Sequence, residues 1–199
     1  MEDKLSRGRA YDYGRPDAIE ARWGLDLMTG FQIGAIITYA GSIEYFLERA
    51  IWRLTEFEPE NVRPLTDTKS IMGLLTDLDQ HTTTIPDSNL KVLLTLWSSA
   101  ASYGAILRNN IAHGVAMNFG GVTAYCRNPR WHREIRKREF GGFWIDPNVG
   151  DMTRGAFATL MRIIALLADK TIPPSSIATN EAFRAVREAR STLAEFSNA

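Results

Sequence analysis

An all-α fold is what the sequence predicts: a helical bundle with an irregular or small β-hairpin insert before the penultimate long helix. Three observations predict it. Segment after segment repeats its apolar residues at spacings of three and four, the period of one helix face. The breaks between these segments (EFEPENVRPL, HTTTIPD, TIPPSS) carry prolines and capping residues. A single stretch, 115–147, turns instead to glycine pairs, aromatic residues and strand-like runs.

Composition sets the outer bounds. A chain of 199 residues that is 45% apolar suits one domain with a sizeable core and excludes a mainly disordered protein. Lysine plus arginine equals aspartate plus glutamate, at 23 each. That balance argues against a protein that coats nucleic acid through overall charge, while leaving a local basic patch open. Cys126 stands alone, so no internal disulfide framework forms. The opening MEDKLSRGRAYDYGRPD lacks the apolar stretch of a secretory signal, and no run of eighteen apolar residues occurs. The expectation is a cytoplasmic protein with no membrane span.

Residues 1–15 read as a flexible arm, and 16–199 as a single helical domain carrying the insert at 115–147. Pro16, Asp17 and Glu20 suit the first turn of a short helix over 16–28, with Trp23, Leu27 and Met28 turned inward. From Thr29 to Leu54, residues such as Ile33, Ile36, Ile43, Leu47 and Ile51 form one stripe on a long helix, despite Gly34 and Gly41. Ile71, Leu74, Leu75 and Leu78 predict a second bundle helix over 67–79. Asp87 or Ser88 caps a third, which includes Leu90, Leu94, Trp97 and Ile106 and ends at His113-Gly114 on a left-handed glycine. VTAYC and FGGFWI have strand composition. Asp151 is expected to cap the next helix, with Phe157, Leu160 and Ile164 inward, and Asn180–Phe196 forms a final amphipathic helix.

The chemistry concentrates at the end of the third helix, in Arg108-Asn109-Asn110-Ile111-Ala112-His113-Gly114. Polar residues interrupt an otherwise apolar helix there, which core positions rarely do. Asn109 and His113, four apart, share a face. Arg108 and His113, five apart, stand about 140° apart around an ideal helix. They converge if the last turn loosens at Gly114, or if a partner helix supplies a second wall. Arginine grips a phosphate with a planar fork, and histidine exchanges protons near neutral pH. Asparagine orients either group. The set suits cleavage of an RNA phosphodiester by its own 2′-hydroxyl, a scheme that requires no metal or cofactor. A single chain offers one histidine where an acid and a base are needed. A homodimer supplies two of each around one cleft. The alternative is structural: His113 as a helix-end cation and Arg108 paired to a nearby acid.

RNNIAHG resembles the R-x4-6-H signature of the HEPN superfamily, with Arg108, Asn109 and His113 filling its arginine, polar and histidine positions. The resemblance covers this motif and the helical order from about residue 20 to 170. It implies a compact helical bundle that dimerises. It further implies either a metal-independent endoribonuclease of a toxin–antitoxin, defence or RNA-processing system, or a non-catalytic interaction or sensor module. An antitoxin or other regulatory protein is then a candidate partner. An acidic residue on an earlier helix accompanies the active set in such nucleases, and Glu44 is the candidate, set to hold Arg108 or tune His113. The plainer reading of Glu44 is a solvent-facing neighbour of Glu48.

A second feature lies in the insert. RNPRWHREIRKR, residues 127–138, holds six basic residues against Glu134. Arg127, Arg130, Arg133, Arg136 and Lys137 offer charge for an RNA backbone, and Trp131 offers a ring for a base. The same composition also fits a solvated loop. Cys126 and His132 have no spacing of a closed zinc site, and no phosphate loop, dinucleotide fingerprint or nucleophile elbow occurs.

Overall fold

A computed structural model describes residues 8–130, 133–135 and 137–197. The short helices α1 (Arg9–Gly14) and α2 (Pro16–Trp23) precede the bundle helices α3 (Leu27–Leu54), α4 (Ile71–Thr82) and α5 (Ser88–His113). Strands β1 (Val115–Phe119), β2 (Val122–Arg127) and β3 (Gly141–Ile145) come next, then α6 (Pro147–Ala168), a 3-10 turn at Pro174–Ser176, and α7 (Asn180–Ser197). The described part of the N-terminal arm thus carries α1.

The helix expected over 16–28 is in fact two. Gly24, at φ 72°, closes α2, and the Asp26 carboxylate opens α3 by accepting the Thr29 N–H at 2.7 Å. Trp23, Leu27 and Met28 lie exposed instead of packing inward. Further along, α3 buries Ile36, Ile43, Leu47, Ala50 and Ile51.

Helices α3 and α6 run parallel and are tied at both ends. Near the start of α3, Gln32 Nε2 donates to the Pro147 carbonyl at 2.9 Å. Near its end, Arg53 donates to the carbonyls of Leu167 (2.8 Å), Asp169 (2.6 Å) and Ile172 (2.5 Å). A single guanidinium thereby binds one carbonyl of the last turn of α6 and two in the chain just beyond it. The cap of α6 is Asp146, which accepts from the N–H groups of Asn148 and Val149 with Pro147 in the first helical position. Asp151, the expected cap, lies a turn inside.

The second bundle helix, expected over 67–79, starts at Ile71, the first residue of its apolar stripe. Ser70 caps it, and the helix continues through His81 and Thr82, which read as turn in the sequence. The preceding loop is pinned to α3 by a short chain: Trp52 Nε1 donates to Thr66 Oγ1 at 2.9 Å, and that hydroxyl donates to Glu48 Oε1 at 2.6 Å. Asp87 caps α5, whose Leu90, Leu93, Leu94, Trp97 and Leu107 lie in the core. Trp97 Nε1 finds its partner on α6, the Leu160 carbonyl at 2.9 Å. Among the described residues α5 is the one helix long and apolar enough to cross a membrane, and most of that stretch is buried inside the fold.

The insert is more ordered than a lone hairpin. Its three strands form an antiparallel sheet in the order β1-β2-β3, with FGGFWI supplying the third. Ala124 and Tyr125 of β2 and Phe143 and Ile145 of β3 are buried, which seats the sheet on the end of the bundle.

Candidate functional site

Helix α5 stays α-helical through His113, so its last turn does not loosen. Gly114 is not left-handed either: at φ −84° and ψ 156° it is extended and leads straight into β1. Glycine is required there for close approach. A side chain would overlap the Asn110 carbonyl oxygen and press on Tyr125 and Cys126 of β2.

A regular helix spreads RNNIAH around its axis, and the structure gives each polar residue a separate environment. Asn110 is fully buried. Its Nδ2 donates to the Gly142 carbonyl at 3.0 Å, and a side chain at Gly141 would overlap its carboxamide. This residue clamps α5 to β3, a structural role that the sequence does not distinguish from that of Asn109. Arg108 and Asn109 are half-buried, and Arg108 Nη1 donates to Asn109 Oδ1 at 3.1 Å. His113 is exposed. Arg108 and His113 therefore keep the angle of about 140° that a regular helix imposes, and a single chain does not converge them.

Arg108 and Glu44 face one cleft, although no ion pair joins them. Both line a small cleft where α3, α4, α5 and α6 adjoin, walled by Ile43, Ile71, Gly104 and Phe157. Glu44 is half-buried, not a free surface residue beside Glu48. The cleft offers about 20 Å³, room for a water or a single ligand atom.

The sheet brings the basic loop to the same end of the molecule as His113. In its register Val115 lies opposite Cys126. One step further along the two strands, Gly114 stands beside Arg127. The loop that leaves β2 at Asn128 returns at Glu139, where Asn128 Nδ2 donates to the Glu139 carbonyl at 3.0 Å. Arg127 is half-buried, whereas Arg130, Arg133 and Lys137 are exposed. Trp131, His132 and Arg136 lie outside the described residues. Arg133 takes φ 63° and Asn128 φ 52°, so the loop turns sharply at both places.

Chemistry at neighbouring positions is quiet. Burial raises the Cys126 thiol and the Tyr125 phenol above their ordinary values, which keeps both protonated at neutral pH. Among the described residues no three His, Cys, Asp or Glu side chains cluster as metal ligands. Comparison with protein-family models, with curated proteins and with solved structures finds no match.

Proposed function

We propose that the chain is a metal-independent endoribonuclease that cleaves an RNA phosphodiester through the 2′-hydroxyl at a homodimer cleft. One observation carries this reading. A half-buried arginine that lines one cleft with Glu44 stands on the same helix as an exposed histidine, and that helix leads directly into the sheet that carries a basic loop. Glu44 and Asn109 position the Arg108 guanidinium, and Arg108 neutralises the phosphate as charge builds on it. One His113 takes the proton of the 2′-hydroxyl, whose oxygen attacks phosphorus. A second His113, from the other chain, gives a proton to the departing 5′ oxygen. The products are a 2′,3′-cyclic phosphate and a free 5′-hydroxyl. DNA has no attacking hydroxyl and is spared. Arg130, Arg133 and Lys137, with the rest of their loop, supply backbone charge.

The competing reading is a non-catalytic helical interaction or sensor module of a defence or regulatory system. The divergence of Arg108 and His113 on one regular helix favours it, because a lone chain then holds no assembled site. Incubating mixed single-stranded RNAs with the protein in EDTA separates the two. Cleavage to cyclic-phosphate ends, abolished in Arg108→Ala and in His113→Ala with helix content retained, supports the nuclease. Intact RNA, or full cleavage by His113→Ala, rejects it.

A further inference from the structure

One face of α3 is left largely uncovered by the chain: its ring contacts are Arg154 at 5.5 Å from the Phe31 ring and, around Tyr45, Arg49 at 3.3 Å and the Phe46 ring. Leu27, Phe31, Gly34, Thr38, Gly41 and Tyr45 succeed one another at steps of four and three, and all six are exposed. Leu27 is 92% exposed, Phe31 58% and Tyr45 51%. Steps of this kind are the seam of a helix that packs along another helix. The positions carry no charge over about 27 Å of helix. A side chain added at Gly34 or Gly41 would meet open space, so nothing inside the subunit requires glycine at either place. Glycine in an exposed helix interior weakens the helix, which leaves the cost unexplained in an isolated chain. The Thr38 hydroxyl in the seam is already satisfied: its Oγ1 donates to the Gly34 carbonyl at 2.7 Å. The centre of this face can be covered without stranding a polar group.

The order of large and small residues says what covers it. Turned antiparallel about a two-fold axis level with Ile36, the seam matches itself. Phe31 of one copy lies over Gly41 of the other, Thr38 over Gly34, and Leu27 beside Tyr45. Each bulky or branched residue meets a glycine, except at the ends, where two large side chains lie together. A self-complementary patch of this form is what a two-fold interface between identical chains requires.

The same axis is placed for the candidate site. Leu54 of α3 lies near Leu90 of α5, and Glu44 lies near Arg108, so the two helices run antiparallel. Continued at about 1.5 Å per residue from the level of Glu44 and Arg108, that antiparallel run brings His113 level with about residue 39 of α3, within about one helical turn of the level of the axis. Glu44 stands on the flank of the seam, one residue before Tyr45.

We propose that the Leu27–Tyr45 face of α3 is the homodimer interface, packed antiparallel on a second copy with Phe31 seated on Gly41. The proposal names the surface that would assemble the dimeric arginine–histidine site, and its functional meaning rests on the nuclease reading. The test uses the full chain in sedimentation equilibrium at tens of micromolar. Wild type should have twice the 22.3 kDa chain mass. Gly41→Glu should be a monomer with unreduced helix content, since glutamate is a better helix former than glycine. Met72→Glu, which charges an exposed apolar site on α4, should stay dimeric. Gly34→Cys with Thr38→Cys in one chain should give a covalent dimer on oxidation. A monomeric wild type, or a Gly41→Glu protein that remains dimeric, overturns the interface. Cleavage is scored separately. A dimer that Gly41→Glu dissociates but that never cuts RNA keeps the interface and removes the nuclease. A nuclease whose dimer ignores Gly41→Glu does the reverse.

Discussion

Replacing Asn110 by alanine should destabilise the protein where replacing its neighbour Asn109 does not. Asn110 is fully buried and its Nδ2 bonds the Gly142 carbonyl at 3.0 Å. Truncation removes a net contribution of about 1 kcal/mol and leaves that carbonyl unpaired, for about 1–3 kcal/mol more. Part of this is offset, because the Asn110 Oδ1 is itself buried without a partner and its removal relieves that burden. The balance is about 2 kcal/mol. For a chain of this size it lowers Tm by about 4–8 °C. In urea, with a slope of about 3 kcal/mol/M, the midpoint falls by about 0.7 M. Asn109 is half-buried and bonds only the adjacent Arg108, so Asn109→Ala should stay within about 0.5 kcal/mol of wild type. Asn110→Asp sharpens the test through its sign. The protonated acid can donate to Gly142, while the carboxylate is buried without a partner, so the folded-state pKa is raised. The penalty is small in acid and grows as pH rises through the unfolded value of about 4. Urea melts of the three variants at pH 4 and pH 7 read all of this. Equal stability of Asn109→Ala and Asn110→Ala, or an Asn110→Asp variant as stable as wild type at pH 7, refutes the clamp.

Arg53→Ala removes a guanidinium that bonds three carbonyls at and beyond the end of α6, and should cost about 2–4 kcal/mol in chemical denaturation; Arg53→Lys should recover only part of it. Gly114→Ala forces its methyl into the Asn110 carbonyl and should cost at least about 2 kcal/mol by thermal melt, although φ −84° suits any residue. Asp26 is held below its ordinary value by the Thr29 N–H. Asp169 is held below its own by the Thr171 hydroxyl, then the Thr171 N–H, and by the Arg53 charge. Their stabilisation is complete above the unfolded carboxylate range and is lost as pH falls through the lower folded values, so Asp26→Asn should flatten the acid limb of a stability–pH curve. Neutralising Arg130 and Arg133 together should weaken RNA binding and lower the salt slope by about 2, read by titration at several salt concentrations; unchanged binding would remove the loop from the interface.

The long helices are legible because an apolar stripe of period 3.6 survives any packing partner. Ile36, Ile43, Leu47 and Ile51 are buried as their spacing requires, and so are Leu160 and Ile164. Helix ends are less so, because a cap is decided by which carboxylate reaches the free N–H groups. Asp146 precedes a proline and does so; Asp151 has the same chemistry one turn too late. The 16–28 helix shows the same limit. Pro16, Asp17 and Glu20 mark a start, yet Gly24 and Asp26 divide the segment and expose Leu27. The strands at VTAYC and FGGFWI are legible from composition, whereas β1 (Val115–Phe119) is not, because its exposed and half-buried residues show no alternating apolar pattern; Gly141 is small where the Asn110 carboxamide lies. At the candidate site, Arg108 and Glu44 line one cleft as the sequence suggests, while Asn110 and Asn109 are indistinguishable until one of them is seen under the sheet.

That last ambiguity bears on how a short helical motif can be a site at all. Each residue turns the helix by about 100°, so six consecutive residues face nearly every direction. On α5 those directions are already taken: Leu107 and Ile111 go to the core, Asn110 to the sheet, Arg108 to the α3 cleft, and His113 outward. No flexing of the α5 end resolves this, since Asn110 locks the turn that would have to move and Gly114 packs closely on β2. Any site built on this motif therefore needs what other elements bring to it. Glu44 comes from α3 and the basic loop comes from the sheet, both within the chain. The second proton-transfer group that the proposed nuclease needs comes from neither, and the self-matching face of α3 is the route by which another copy would deliver it.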